Sequence, residues 1–176
     1  WGPRLADQHL VADLTPFVSV GLLEKVSVPA LGTAQYHGQW ISLPYAQKGV
    51  VFFRNQKIIP EAPTTFEELV NQAQAATRGG VVGANLERSI YFSAAHLSGL
   101  GGRLMDEQGM PAFNDATGLE WIRLLQAFEQ AGPVELNTDR DIRLFEEGKA
   151  GMIFEGTWIR NELAQAIGVE NMAIDP

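Results

Sequence analysis

Cysteine is absent from the 176 residues. That removes disulfide frameworks, thiolate zinc sites and cysteine nucleophiles together, and leaves the redox compartment open. Positive charge is scarce: 13 Lys and Arg stand against 21 Asp and Glu, for a net charge of −8. The basic residues form no cluster, which speaks against a nucleic-acid or anionic-membrane surface, and the acidity reads as a solubility feature. Long apolar runs are missing as well. The longest obvious one, Gly49-Val50-Val51-Phe52-Phe53, is far short of the roughly 20 residues that cross a bilayer. His9, His37 and His96 stand far apart without ligand spacing, so neither a metal nor another cofactor is expected. Gly99-Leu100-Gly101-Gly102 lacks the lysine and hydroxyl of a phosphate-binding loop and follows a helical pattern, so it reads as a helix stop. No Gly-x-Ser-x-Gly elbow is present. Glu67 and Glu68 are adjacent, fall on different helix faces, and belong to a cap rather than to an acid–base pair.

What is present is ordinary for a folded protein: 45% hydrophobic and 19% charged residues. The length suffices for one sizeable core and is marginal for two full domains. The chain opens on Trp1, with no signal-peptide pattern, and reads as a piece of a longer protein.

The first forty residues show no regular pattern beyond a loop at Leu10–Phe17 and a helix end at Gly21-Leu22-Leu23. Gly38–Tyr45 alternates like a strand, and Val50–Arg54, β-branched and aromatic, predicts a central strand buried from two sides. Thr65 with Glu68 fits a capping box, and Phe66, Leu69, Val70 and Ala73 then line one helix face up to a stop at Gly79-Gly80. Val81–Ala84 predicts a short strand and Ser89–Leu97 a helix. Leu104–Phe113 reads as a hairpin or extended loop turning at Gln108-Gly109. Asn114 or Asp115 caps a helix with Leu119, Ile122, Leu125 and Phe128 stepping down one side to Gly132-Pro133. Thr138 opens another helix, with Ile142 and Phe145 inward and Gly148 at its end. Ala150–Glu155 is strand, Thr157–Ile167 helix, and Met172-Ala173-Ile174 a last strand. Strands alternating with helices make a layered α/β domain, a sheet with flanking helices.

Several of these segments together resemble the maltose-binding-protein-like extracellular solute-binding proteins of ABC importers. Gly38-Gln39-Trp40-Ile41-Ser42-Leu43-Pro44-Tyr45 is similar to that family's Gly-Lys-hydrophobic-x-x-hydrophobic-Pro entry to an interlobe strand. Val50-Val51-Phe52-Phe53-Arg54-Asn55 resembles the Leu-x-Tyr-Asn continuation, and Pro63-Thr64-Thr65-Phe66-Glu67-Glu68-Leu69 the Pro-Pro-x-Thr-Trp-Glu-Glu-Leu helix start. Phe145–Met152 followed by Gly156-Thr157-Trp158 resembles Phe-x-x-Gly-Lys-Ala-Ala-Met…Gly-x-Trp. The matches come in the family's order over most of the chain. Two departures stand out: Arg54 where the family usually has tyrosine, and Arg4–Val20 without a clear counterpart. The resemblance implies a periplasmic-binding-protein-like fold of class II, two lobes closing on a solute, and an incomplete chain. Residues 1–46 would be a remnant of the first lobe and connector, 47–168 the second, solute-binding lobe, and 169–176 the start of a return strand.

Open α/β sheets bind ligands at the carboxyl ends of their strands. There stand Glu155, Gly156, Thr157 and Trp158, at a helix start that offers backbone N–H groups and a positive dipole end. An indole there can stack on a sugar ring, or it can pack the helix onto the sheet beside Leu163 and Ile167. Tyr91 and Phe92 open the helix after Val81–Ala84, and by resemblance they match aromatics lining a sugar cleft. Core packing is the other role open to them. Tyr45, Gln47 and Lys48 lie where the chain should cross between lobes and can meet solute hydroxyls, although a lysine such as Lys48 is usually a solvated one. Trp1 matches a first-lobe aromatic by resemblance. The expected function is therefore non-enzymatic binding of a sugar or oligosaccharide by an extracytoplasmic receptor, periplasmic or lipid-anchored, that serves membrane permease subunits. The alternatives are a saccharide-acting enzyme pairing Glu155 with another acid, and a structural domain whose aromatics are all core.

Overall fold

Lys48 and Gly49 mark the division of the chain into two units, Trp1–Lys48 and Gly49–Pro176. The computed structural model describes residues 1–135 and 139–175. Thr138, the expected first residue of a helix, and Pro176 lie outside the described residues, while the expected helix itself is present over Arg140–Glu146 with Phe145 buried.

The first unit is built of short pieces. Helices α1 (Gly2–Asp7), α2 (Val20–Leu23) and α3 (Val28–Gly32) and a 3-10 turn at Thr15–Phe17 precede a hairpin of β1 (Gln35–Tyr36) and β2 (Gln39–Trp40). Proline sits in the first turn of α1, of α3 and of the 3-10 turn, where its missing N–H leaves no helix bond unmade. Reading these forty residues as irregular misses α1 and α3. Neither helix buries a residue, so no apolar stripe announces it. The hairpin turns at His37 and Gly38, both with positive φ (48° and 77°), as the favoured two-residue turn requires. The strand expected over Gly38–Tyr45 shrinks to Gln39–Trp40: beyond Ile41, which still bonds back to Ala34, the backbone pairs with no neighbour.

The second unit is a sheet between two helical layers. Its strands are β3 (Val50–Asn55), β4 (Val82–Glu87), β5 (Val134–Glu135), β6 (Ala150–Gly156) and β7 (Met172–Asp175), in the order β5-β4-β6-β3-β7. β4 runs parallel to β5 and β6, whereas β3 is antiparallel to both of its neighbours, with Phe52 opposite Phe154 and Phe53 opposite Ile153. The expected two-sided burial of β3 holds. Phe52 enters a cluster with Leu69, Trp121, Phe128 and Phe154, while its neighbour Phe53 enters the other with Phe145, Ile153, Ile159 and Leu163.

The helices are α4 (Phe66–Ala76), α5 (Ile90–Gly99), α6 (Ala116–Ala127), α7 (Arg140–Glu146) and α8 (Arg160–Ile167). In α4, Thr65 Oγ1 accepts the Glu68 N–H at 3.1 Å, as a cap should. The Glu68 carboxylate reaches one residue further than expected. It accepts from the Thr64 N–H and hydroxyl, both at 2.7 Å, and these bonds hold its pKa below the ordinary range. The helix ends at Ala76, ahead of Gly79-Gly80. Thr77 already takes an extended conformation there, and its hydroxyl bonds the Ala73 and Ala131 carbonyls. Gly79 and Gly80 instead form the tight turn of the Arg78–Val81 bridge.

The inward face of α6 differs from the expected one. Asp115 caps it, accepting the Gly118 N–H, but the buried residues are Gly118, Trp121 and Leu125, followed by Phe128; Leu119 and Ile122 are exposed. Both stripes have helical spacing. The large indole of Trp121, edge-on to Phe113, settles which one turns inward.

Arg54 has a structural reason. It is buried, with Nε 2.7 Å from Asp175 Oδ2 and a second bond from its NH2 group to Oδ1, and its NH1 group donates to the Ile59 and Pro60 carbonyls at 2.8 and 2.6 Å. It thus fastens β3 to β7 and to the turn after β3.

The α6 face can be checked by truncation. In urea unfolding of the full-length protein, Trp121→Ala should cost about 3–5 kcal/mol. Ile122→Ala should stay within about 0.5 kcal/mol. Equal costs would return the helix to the Leu119–Ile122 face.

Candidate functional site

β6 ends at Gly156 on the edge of the sheet where β4 also ends, and the chain turns through a 3-10 segment, Thr157–Ile159, into α8. The packed stripe of this segment is Ile159, Leu163 and Ile167, all in the second core cluster. Trp158 lies one residue off that stripe and is 41% exposed, so its indole is not absorbed by its own helix. Its placement depends on the glycine two residues before. A Cβ on Gly156 would fall 2.1 Å from three indole carbons, so the ring lies flat over a backbone position that only glycine leaves clear.

The neighbouring α5 brings Tyr91 to the same rim. Its ring centroid is 6.3 Å from that of Trp158, tilted by 42°, and Phe92 meets Tyr91 edge-on at 5.1 Å. Tyr91 is largely exposed and Phe92 half-buried. The structure therefore brings together Trp158, Tyr91 and Phe92 as one aromatic platform at the carboxyl edge of the sheet.

Two of the backbone donors expected there are already engaged. The Gly156 N–H donates to the carboxylate of Glu155 at 2.8 Å, and the Thr157 N–H to the Gly49 carbonyl at 3.0 Å. The Thr157 hydroxyl in turn accepts from the Gly49 N–H. These bonds fix the turn that carries the indole. They do not point at a ligand.

Glu155, a candidate from the sequence, is joined by two carboxyl groups that the sequence did not single out, Glu87 and Asp141. Glu155 lies near the end of β6, and Glu87 lies on β4 two residues beyond Asn85, which pairs with Ile153. Asp141 is in the first turn of α7, which packs on β6. All three are buried. Burial, with Glu155 and Glu87 nearby, pushes Asp141 up to about 7 despite a backbone hydrogen bond that lowers it. Burial likewise raises Glu155, opposed by the Gly156 N–H and helped by Glu87 and Asp139. The available signal was a polar residue at each strand end where the pattern is otherwise apolar; only the register across β4 and β6 joins them. Among the described residues no group of His, Asp and Glu is arranged to hold a metal ion.

The other candidates lie in the first unit. Trp1 and Tyr45 are fully solvent-exposed there, and Lys48 is exposed. Gln47 Oε1 accepts the Ser27 hydroxyl at 2.8 Å. Among the described residues no helix is long and apolar enough to cross a membrane.

Comparison with known proteins adds three findings. A family model described as bacterial extracellular solute-binding protein matches residues 1–175. A maltotriose-binding protein from Pyrococcus abyssi (strain GE5 / Orsay) is 26% identical over 166 residues, 90% of this chain and 36% of that protein. Two solved structures share the fold across the whole chain at 20% identity: the GacH receptor of Streptomyces glaucescens GLA.O at a TM-score of 0.85, and the Thermus thermophilus maltotriose-binding protein at 0.79. The chain spans 49% of each of those two proteins.

The buried carboxyl of Asp141 has a measurable consequence. The folded protein holds its proton up to about pH 7, whereas the unfolded chain releases it near 3.8. The stabilisation it contributes is complete below the unfolded value and is lost as pH rises through the folded one. The full span corresponds to about 4 kcal/mol, of which roughly 2–3 falls between pH 5 and 8. Urea unfolding of the full-length protein should therefore show stability falling over that range, and Asp141→Asn should flatten the fall. An unchanged slope in the variant would place the proton elsewhere.

Proposed function

The chain belongs to the bacterial extracellular solute-binding proteins, and from that premise we propose that it carries the solute-contacting lobe of an extracytoplasmic sugar receptor. The observation that carries the reading is the aromatic platform, an exposed indole seated over Gly156 with Tyr91 beside it. Aromatic faces stack on the C–H faces of pyranose rings, and they hold neutral, polyhydroxylated solutes without a compensating charge. Maltooligosaccharides are the first candidates, because the Pyrococcus abyssi relative is a maltotriose-binding protein.

In this reading Trp158 and Tyr91 supply stacking surface and the tyrosine hydroxyl a polar contact. Phe92 buttresses Tyr91. Glu155, Gly156 and Thr157 act mainly by holding the turn. Trp1, Tyr45, Gln47 and Lys48 are additional contacts for the solute's hydroxyls. A second lobe of the full-length protein would close on a solute seated here, and closure is favoured because the solute touches both lobes only in that state. The protein would work outside the cytoplasm, either in the periplasm or lipid-anchored at the outer face of the membrane. Its partners there would be the permease subunits of an ABC importer.

The enzymatic alternative needs a carboxyl group that reaches the glycosidic oxygen. Glu87, Asp141 and Glu155 are each 5% exposed or less, and that burial speaks for binding without turnover.

Calorimetry on the full-length protein with maltotriose, maltotetraose and cellotriose tests the proposal. Binding of the maltooligosaccharides is expected, with no new reducing ends after prolonged incubation. Trp158→Ala should weaken it at least tenfold, about 1.4 kcal/mol. Gly156→Ala should weaken it similarly by displacing the indole, while Ile122→Ala leaves it unchanged. A full complement of binding in Trp158→Ala would remove the platform from the site, and turnover would replace the receptor with an enzyme.

A further inference from the structure

α7 ends at Glu146, the chain reverses through Gly148 at a φ of 67°, and β6 begins at Ala150. Helix and strand therefore run in opposite directions, and the start of α7 lies over the end of β6. Phe145 and Ile153 share the second core cluster. From Phe145 back to Asp141 is one helical turn, about 6 Å along the axis, and from Ile153 on to Glu155 is two strand residues, about 6.6 Å. Each step keeps to one face of its element, so Asp141 and Glu155 come level. β4 brings a third carboxyl group. Asn85 pairs with Ile153 in parallel register, which puts Glu87, two residues on, beside Glu155.

This end of the sheet is poor in groups that would offset another negative charge. Asp141 is 1% exposed, and among the described residues its carboxyl oxygens meet no side-chain donor. Asn85, on the same face of β4 as Glu87, is also 1% exposed, and neither of its amide atoms is bonded. The elements packed on α7 are β6, which contributes Glu155, and α8. The cations of α7 and α8, Arg140, Arg143 and Arg160, are exposed; so are Asp139 and Glu162, while Glu146 is half-buried. A third ionised carboxyl beside Glu87 and Glu155 is disfavoured, and burial and these two acids raise Asp141 to about 7. Its oxygens are sealed from solvent, so what this group exchanges is a proton and not a larger ligand.

Glu155 is the member of the group that touches the turn carrying Trp158. Its carboxylate accepts the Gly156 N–H, and Gly156 is the residue whose missing Cβ lets the indole lie against the backbone. We propose that Asp141 is a positioning residue for Trp158: as a neutral acid it leaves the Glu155 carboxylate on the Gly156 N–H, and on ionising it repels that carboxylate, frees the N–H and unseats the indole. The consequence for affinity rests on the platform being the sugar-contacting surface. Affinity is then higher on the acid side of neutrality and falls as pH rises through the value at which Asp141 loses its proton. By reciprocity, a bound sugar that holds the indole seated favours the protonated acid.

Fluorine NMR of the full-length protein labelled with 5-fluorotryptophan tests this without a sugar. The Trp158 signal is identified by its absence from Trp158→Phe. Titrated from about pH 5 to 8.5, it should shift with a midpoint near 7, and Asp141→Asn should abolish the shift. Glu87→Gln removes one of the charges that raise Asp141 and should move the midpoint to lower pH, which keeps the test open should Asp141→Asn fail to fold. Calorimetry with maltotriose over the same range should show affinity falling at least about fivefold in the unaltered protein and staying level in Asp141→Asn. A Trp158 signal that is flat through neutrality, or one whose titration persists in Asp141→Asn and is unmoved in Glu87→Gln, overturns the proposal. A flat signal with strong, pH-independent binding overturns the coupling and leaves the platform in place. A signal that titrates as expected, with no maltotriose bound at any pH, overturns the sugar reading and supports the positioning role of Asp141.

Discussion

The full burial of β6 is the constraint from which the rest of the second unit follows. Every residue from Ala150 to Gly156 is buried, because the strand has a hydrogen-bonded neighbour on each edge and a helical layer on each face. A strand so placed must be apolar on both sides, and Met152, Ile153 and Phe154 divide between the two clusters. It also sets an address: wherever β6 stops, its last residues emerge at the carboxyl edge of the sheet beside the end of β4.

What emerges there joins a local requirement to a functional one. The Gly-x-Trp spacing works because the glycine clears backbone space for an indole two residues later. Trp158 then lies off the Ile159-Leu163-Ile167 stripe that binds α8 to the sheet. The same residues thus anchor the helix and leave the tryptophan available. The N–H groups of Gly156 and Thr157 are not offered to a ligand, since Glu155 and Gly49 have taken them. Stability of the turn and freedom of the aromatic face are separate duties carried by adjacent residues.

Buried polar groups mark where this fold departs from a plain apolar core. Arg54 is almost fully satisfied by Asp175 and two carbonyls, and so acts as a cross-tie between β3 and β7. The carboxyl groups at the strand ends differ, since burial raises Asp141 and Glu155, with Glu87 adding to both, and Asp141 keeps a proton near neutral pH.

The residues alone were enough to establish the alternation of strands and helices, the two-sided burial at Phe52 and Phe53, the cap at Thr65 and one at Asn114 or Asp115, and the prominence of Trp158. All of these follow from side-chain periodicity or from hydrogen bonds within a few positions. Tertiary structure decided the rest. It chose the Trp121 face of α6 over the equally periodic Leu119 face. It consumed the N–H groups of Gly156 and Thr157, set Tyr91 beside Trp158, and gathered Glu87, Asp141 and Glu155 from distant parts of the chain. Local pattern records which side chains share a face, but which face turns inward, and which distant groups meet, depends on pairing between strands and on packing volume that no single segment contains.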